Sequence, residues 1–370
     1  MSLITINSAQ KLIRSEVSKF TSTEVETVAT DIERDCSIPS DILQKISQMG
    51  LFALTVPEEY GGSGLDVTSL CIALEELAKS CASLAMTVAV NNCLVNYPLI
   101  RYGSTEMKEE YLKKIAGGSM GGYAPLSDIE VAGKECVLES EGERRYLSKR
   151  YDIVLNSTFA DFLIIPVRSS NGVYLFLIEK GAQGMNAYTV STMGLRSAGI
   201  TGLEFKHGEL ITERCLVAAE SGEQAIQSVR DYAHIGFAAV ALGLMQASLM
   251  ASVRYAKERK QFGRPIAEFP MVQEMLAEMK SEVEKSRLLV YESANRFDAG
   301  EEYRMIARIA FLSVCEGAVD TGLKAIQVHG GYGYIKDYPV ERYFRDAKSL
   351  QLLGEMPSEM RLKIAKEIIL

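Results

Sequence analysis

The 370 residues predict an α+β protein in three parts: an all-α N-terminal domain over 1–118, a central antiparallel β-domain over 119–221, and a C-terminal four-helix bundle over 222–370. Three observations lead there. Apolar residues recur at helical spacing in the first third. Short β-branched and aromatic runs separated by turn residues fill the middle, and a long proline-free stretch rich in small residues opens the last third.

In the first part the pattern runs from Asp41 to about Gly118, through Ile42 and Ile46, then Leu70, Ile72, Leu74 and Leu77. One break interrupts it, Val56-Pro57-Glu58-Glu59-Tyr60-Gly61-Gly62-Ser63-Gly64, where proline and glycines end one helix before the next begins. Near Gly117-Gly118 the texture changes. Tyr151 to Leu155, Phe162 to Val167 and Val173 to Ile178 read as strands, and Ser169-Ser170-Asn171-Gly172 as the turn between the last two. From Gly222 to Lys260 there is no proline, and the Ala238-Ala239-Val240-Ala241-Leu242-Gly243-Leu244 segment presents small residues that let helices approach closely. Further long helices are expected over roughly 270–299 and 302–328, with a last one at the chain end, which together make an antiparallel bundle.

Composition excludes several functions. The net charge of −8 is spread without a basic block, so neither nucleic acid nor an anionic membrane surface is an expected partner. Seven cysteines, at 36, 71, 81, 93, 136, 215 and 315, form no C-x-x-C pair, and their odd number fits a reducing compartment better than a disulfide framework. Glu16, Glu24 and Glu26 are unlike an acid-poor transit peptide, no signal pattern opens the chain, and no uninterrupted apolar run reaches membrane length, so a cytoplasmic location is expected. There is no G-x-S-x-G, no H-E-x-x-H and no histidine or cysteine cluster at metal spacing. Gly61-Gly62-Ser63-Gly64 follows no strand, so it is a loop and not a dinucleotide fingerprint.

The specific signal is in the last third. Arg259-Lys260-Gln261-Phe262-Gly263-Arg264-Pro265-Ile266, Met275-Leu276-Ala277-Glu278-Met279, and the run from Gln327 through His329-Gly330-Gly331-Tyr332-Gly333 to Arg345-Asp346-Ala347-Lys348 resemble acyl-CoA dehydrogenases. Upstream, Pro57 to Gly62 and Arg101-Tyr102-Gly103-Ser104 resemble that family's N-terminal domain, so the likeness spans nearly the whole chain. The resemblance implies flavin-dependent α,β-dehydrogenation of an acyl thioester, carried by CoA or a carrier protein. It implies FAD, an electron-transfer flavoprotein as acceptor, and an oligomer, a dimer or dimer of dimers, in which the adenosine half of each flavin site comes from a neighbouring subunit. Arg259 would then give a forked donor to the pyrophosphate, Phe262 an apolar contact, and Gln327 with Gly330, Gly331 and Gly333 a loop whose backbone approaches the ligand closely. An isolated Gly-Gly-Tyr-Gly would read only as a helix stop and turn; the flanking match decides otherwise.

Three stretches depart from the family pattern. The alanine-(leucine or valine)-threonine-glutamate-proline segment that meets the flavin ring falls on Tyr123 to Asp128, with Leu126 at the threonine and Ile129 to Gly133 in place of the small-residue loop that follows. The tryptophan-isoleucine-threonine contact falls on Ile153-Val154-Leu155, and only the next residue, Asn156, is kept. The base glutamate falls on Gly354, and the alternative base position of some relatives on Ala233, beside His234. Three readings stay open. Glu355 replaces the base through a one-residue shift beside Pro357; or the chain is a non-catalytic subunit that completes the FAD site of a homologous partner chain; or it performs different chemistry on a carrier-bound thioester, with His234 and Asp128 as polar groups to inspect. His329 reads as structural, and His207 as lying in a turn before Gly208. Acyl-pocket depth is expected to depend on residues such as Val90, Asn91, Asn92 and Val95, whose orientation spacing leaves unset.

Overall fold

A computed structural model describes residues 5–125, 137–141, 144–353 and 355–369. The N-terminal part is helical, with α1 (Ser8–Phe20), α2 (Ala29–Asp35), α3 (Ser40–Gln48), α4 (Val67–Ser80), α5 (Ala82–Ala89), α6 (Tyr97–Tyr102), α7 (Thr105–Met107) and α8 (Lys113–Ala116). Local chemistry explains the starts. Asn7 and Gln10 form a reciprocal capping box on α1, at 2.9 and 3.0 Å, and the Asp66 carboxylate accepts the Ser69 N–H at 2.7 Å to begin α4. The Pro57 to Gly64 break is one 3₁₀ turn followed by a loop, as its composition predicts.

Between α5 and α6 the chain takes a π-helical course over Val90–Asn96. Here the structure turns residues expected at the acyl pocket into internal struts. Asn91 donates to the Phe52 carbonyl at 2.7 Å and accepts from the Gly121 N–H at 2.8 Å; Asn92 donates to Leu51 O at 2.8 Å, and Asn96 to Phe52 O at 2.8 Å. All three are fully buried, and Val90 and Val95 pack beside them. A π-helical stretch shifts the phase of every following side chain, so helical spacing alone does not set their face.

The middle part holds β1 (Gly121–Tyr123), β2 (Val137–Glu141), β3 (Arg144–Val154), β4 (Phe162–Ser169), β5 (Gly172–Glu179), β6 (Met185–Thr189), β7 (Thr201–Leu210) and β8 (Cys215–Val217). They form two four-stranded sheets, ordered β1-β4-β5-β8 and β2-β3-β7-β6. The β4–β5 hairpin turns at Ser169–Gly172 as expected. One pairing departs from the antiparallel expectation, since β1 runs parallel to β4. Its cause is connectivity: β2 and β3 lie in the other sheet, so the chain crosses over before β4 and returns in the same direction.

The last part contains α9 (Ala219–Glu258), a two-stranded ribbon of β9 (Lys260–Gln261) and β10 (Arg264–Pro265), α10 (Pro270–Asp298), α11 (Arg304–His329), α12 (Val340–Leu350) and α13 (Pro357–Ile369). The single last helix that the sequence suggests is two short ones, the second opening on Pro357, where a missing N–H is tolerated. Small residues on α9 act as expected: a Cβ on Gly243 would lie 2.5 Å from the Glu75 carbonyl and 2.6 Å from the Ala78 Cβ of α4.

Two helical stretches, Ala82–Tyr102 and Ala219–Glu258, are long and apolar enough to cross a membrane by length and composition. The sequence reading found no uninterrupted run of that kind. Both are mostly buried inside the fold, which explains an apolar surface on every side. Arg345 and Asp346, part of the run that carries the family resemblance, tie the middle part to α12. Asp346 accepts the Leu195 N–H at 2.7 Å, and Arg345 bonds Met193 O at 2.8 Å and Glu33 at 2.9 Å. Burial pushes the Asp346 carboxyl up to about 6, opposed by the Leu195 N–H and by Arg342.

Candidate active site and cofactor cradle

At the C-terminal end of α9 the backbone leaves the helix at Arg259, and at the end of α11 it turns at Gly330. Gly330 has φ 58° and ψ −134°, a conformation essentially closed to residues with a Cβ. These two ends enclose a cavity of about 530 Å³ lined by Tyr255, Arg259, Gln327, His329, Gly330 and Gly331, among others. A Cβ placed on Gly330 or Gly331 would meet nothing within 4 Å, so the space beside both is open. The Arg259 guanidinium sits 5.5 Å above the Tyr332 ring and makes no ion pair among the described residues, which leaves its fork of donors for a ligand anion. His329 Nδ1 lies 2.8 Å from the Ala325 carbonyl, which only accepts, so Nδ1 carries the proton and the neutral ring is fixed against Tyr255 at 4.3 Å. His329 is structural, as read from sequence.

Of the six predicted cofactor residues, Arg259, Gln327, Gly330 and Gly331 meet at this cavity. Gly333 does not line it; a Cβ there would lie 2.5 Å from the Ile326 carbonyl, so the residue is a packing glycine. Phe262 also stands outside it. It is 93% exposed, in left-handed backbone with φ 52°, on the ribbon beside Phe269. A large aromatic ring held in that strained and exposed state suits contact with something beyond this chain. An arginine fork, an amide and open glycine backbone fit a pyrophosphate, and the exposed ring fits an apolar neighbour; together they fit the adenosine diphosphate end of FAD.

Glu355 lies elsewhere. Its side chain is 2% exposed, and Oε1 is shared by Arg230 Nη1, at 3.2 Å, and by Lys363 Nζ. Oε2 is buried with no partner among the described residues. Around it runs a polar network. Lys363 also bonds Gln227 Oε1 at 3.1 Å; Gln227 Nε2 donates to Asp231 at 2.9 Å; Asp231 is held by both arms of Arg308, at 2.7 and 2.8 Å; and Arg308 pairs with Glu367. Tyr123, at the start of the segment compared with the flavin-ring motif, lies within electrostatic reach of Arg230. Burial raises its hydroxyl to about 12 against the lowering effect of that arginine.

Gly354, Leu126, Asp128 and the stretch Ile129 to Gly133 lie outside the described residues. Ala233 is buried. His234 is 1% exposed, stacked on Phe311 at 4.7 Å, and neither ring nitrogen has a partner among the described residues. Burial pushes it down to about 3, although Asp231, 3.8 Å away, pulls the other way. A ring that weakly basic and that enclosed is a core group and not a general base. Ile153 is half-buried and Leu155 buried, both packed into the core. Asn156 has a conformational reason to be present: at φ 58° it occupies left-handed backbone, which asparagine tolerates, and its amide bonds the Thr87 carbonyl at 2.9 Å. His207, expected in a turn, lies instead within β7, where an irregularity in its pairing with β3 lets it take φ 51°, edge-on to Tyr146.

The cradle and the Glu355 cluster sit toward opposite ends of α9. The 29 residues from Arg230 to Arg259 correspond to roughly 44 Å at 1.5 Å per residue, more than an extended dinucleotide spans. Arg230, Asp231 and Lys363 escaped the sequence reading. The available signal was a charged pair inside a long, largely apolar helix, which calls for buried partners from other elements.

The family model for the acyl-CoA dehydrogenase N-terminal domain matches residues 7–119, and that for the C-terminal domain matches residues 220–369. The short-chain specific acyl-CoA dehydrogenase of Clostridium acetobutylicum is 32% identical over 97% of both chains. Among solved structures, butyryl-CoA dehydrogenase from Megasphaera elsdenii superimposes with a TM-score of 0.94 at 26% identity, covering 99% of this chain and 100% of that one. A chain from a structure described as the electron transferring flavoprotein of Acidaminococcus fermentans also reaches 0.94, at 29% identity, covering 100% of this chain and 99% of that one.

Proposed function

The chain belongs to the acyl-CoA dehydrogenase family, and on that premise we propose the following assignment of its residues: Glu355 takes the α-proton, and the Arg259 to Gly331 cradle holds the adenosine diphosphate end of an FAD whose ring lies in a neighbouring protomer. The reaction is α,β-dehydrogenation of an acyl thioester, an oxidation at a CH–CH bond, with FAD as cofactor. FAD, when bound, accepts the β-hydrogen as hydride.

The observation that carries the base assignment is the asymmetry of Glu355: a buried carboxylate with one oxygen anchored by two cations and the other unpartnered. A general base needs that arrangement, because the group must be held in place by one atom and be free to receive a proton at another. Water has little access to a side chain 2% exposed, which preserves the carbanion-like α-carbon from side reactions. The separation of roughly 44 Å along α9 supports the sharing of FAD between protomers, since one dinucleotide cannot reach both ends of one chain. Phe262 at 93% and Tyr334 at 87% exposure are aromatic rings open to a subunit contact. For the electron acceptor we propose an electron-transferring flavoprotein, in line with one of the structural neighbours.

The test uses the purified chain. It is expected to carry flavin and to lose the oxidised-flavin absorbance when mixed anaerobically with butyryl-CoA; Glu355→Gln is expected to keep the colour and to fail to bleach. Bleaching by Glu355→Gln at the wild-type rate would remove Glu355 from the chemistry. A colourless chain that acquires flavin only with a homologous partner would make it a non-catalytic subunit.

A further inference from the structure

We infer that Arg230 of α9 and Lys363 of α13 are positioning residues for the catalytic carboxylate, which anchor Oε1 of Glu355 so that Oε2 is the atom that meets the α-proton. The inference rests on the reading of Glu355 as the base. Both cations reach the same oxygen, from two helices that are remote in sequence, and neither helix alone would place Glu355. Glu355 itself precedes α13, so its backbone does not fix its side chain.

The surroundings make the anchoring necessary. An isolated carboxylate at this depth would be driven toward its neutral form, which takes no proton. Among the described residues, Arg230 of α9 and Lys363 of α13 bond it and Arg308 of α11 lies within its electrostatic reach, while Asp231, His234 and Glu367 belong to the same network and Tyr123 of β1 lies near Arg230. Arg308 is committed to Asp231 and Glu367. His234 is neutral, and among the described residues Arg230 and Lys363 are the cations that bond Glu355. Gln227 completes the fixture, since it bonds Lys363 with its carbonyl and Asp231 with its amide, and so sets where the ammonium sits. α13 is thereby part of the active centre although the run of motif residues read from the sequence ends at Lys348.

In the step itself the Cα–H bond breaks, the proton goes to Oε2, and its electron pair becomes the new C=C bond. The β-hydrogen leaves with its own pair for the oxidant that the activity already employs. Oε1 stays bonded to Lys363 and Arg230 throughout, so the carboxyl does not rotate between proton capture and release.

The experiment compares the wild-type holoenzyme with Lys363→Met, Arg230→Met, the conservative Lys363→Arg, and Glu355→Gln. Three quantities are read: flavin content, the pH profile of kcat/KM with butyryl-CoA, and deuterium uptake from D2O into the methyl group of acetyl-CoA, which has an α-carbon and no β-hydrogen. Removal of a cation that anchors Oε1 is expected to move the acidic limb of the profile to higher pH in both Met variants. Exchange is expected to fall at least about tenfold below the limb, with flavin content unchanged and Lys363→Arg restoring the profile. Should Lys363→Met not fold, Lys363→Gln, which keeps a donor and drops the charge, is read in its place. An inactive Glu355→Gln together with unshifted limbs in the charge-removal variants overturns the positioning role alone. Wild-type exchange in Glu355→Gln overturns the base reading beneath it.

Discussion

Replacement of His234 by phenylalanine is expected to remove a specific acid sensitivity. The imidazole is 1% exposed, both nitrogens lack partners among the described residues, and burial depresses it to about 3. In the unfolded chain histidine titrates near 6.5. Because the folded value is the lower one, the unfolded state binds the proton first, and stability is lost as pH falls below about 6.5 until the folded ring also titrates. At pH 5 this loss is about 2 kcal/mol relative to pH 8, from 2.3RT times the logarithm of the excess protonation of the unfolded state. A phenylalanine keeps the stack on Phe311, at 4.7 Å in the native pair, and has nothing to titrate. The assay is urea unfolding of both proteins between pH 8 and pH 5, at saturating FAD and one protein concentration, so that ligand and assembly linkage are held fixed. The difference between the two stabilities should grow steadily on the acid side in favour of the variant. Parallel curves across that range would refute the account of His234 as a neutral core group.

Three further outcomes follow from other parts of the fold. Asp346 is raised to about 6, so the native state holds its proton longer than the unfolded chain does, and the stabilisation present below about pH 4 fades as pH climbs to about 6. Asp346→Asn can still accept the Leu195 N–H, and its stability relative to wild type should rise across that window by at most about 3 kcal/mol, measured as a difference in thermal midpoint against pH. Gly243→Val forces a side chain against the Glu75 carbonyl and Ala78 where α9 crosses α4; a loss of about 1–3 kcal/mol or more is expected in denaturant unfolding, and an unchanged midpoint would contradict the close crossing. Arg259→Ala removes a charged fork worth about 1.5–3 kcal/mol, so FAD should dissociate roughly ten- to a hundredfold more readily by equilibrium titration of the apoprotein, with the circular dichroism of the fold unchanged.

Much of the architecture was written in local pattern. Helical spacing placed α10 and α11 to within a residue or two at all four ends, and Ser169 to Gly172 marked its hairpin. What escaped depended on partners distant in sequence. The parallel pairing of β1 with β4 follows from where β2 and β3 go, which no property of Gly121 to Tyr123 encodes. The inward direction of Asn91 and Asn92 is not encoded in spacing, since a π-helical stretch alters the phase that spacing reads. The cradle was legible as a run of motif residues, yet only geometry separates Gly330 and Gly331, open to a ligand, from Gly333, closed by packing. Glu355 was legible as a carboxylate beside the vacant base position. Its anchors were not, since one lies 125 residues away on α9 and the other 8 residues on, in a helix the sequence marks only as the chain end.

The central claim, that cradle and base of one active centre come from different protomers, is tested most directly by complementation. Arg259→Glu, which spoils the cradle, and Glu355→Gln, which spoils the base, are each expected to be inactive with butyryl-CoA at limiting FAD. Co-expressed, they form mixed dimers in which one site of two combines an intact cradle from one protomer with an intact base from the other, so about a quarter of all sites should turn over. Activity no higher than that of either parent would contradict the account, and would place cradle and base of each centre within a single chain.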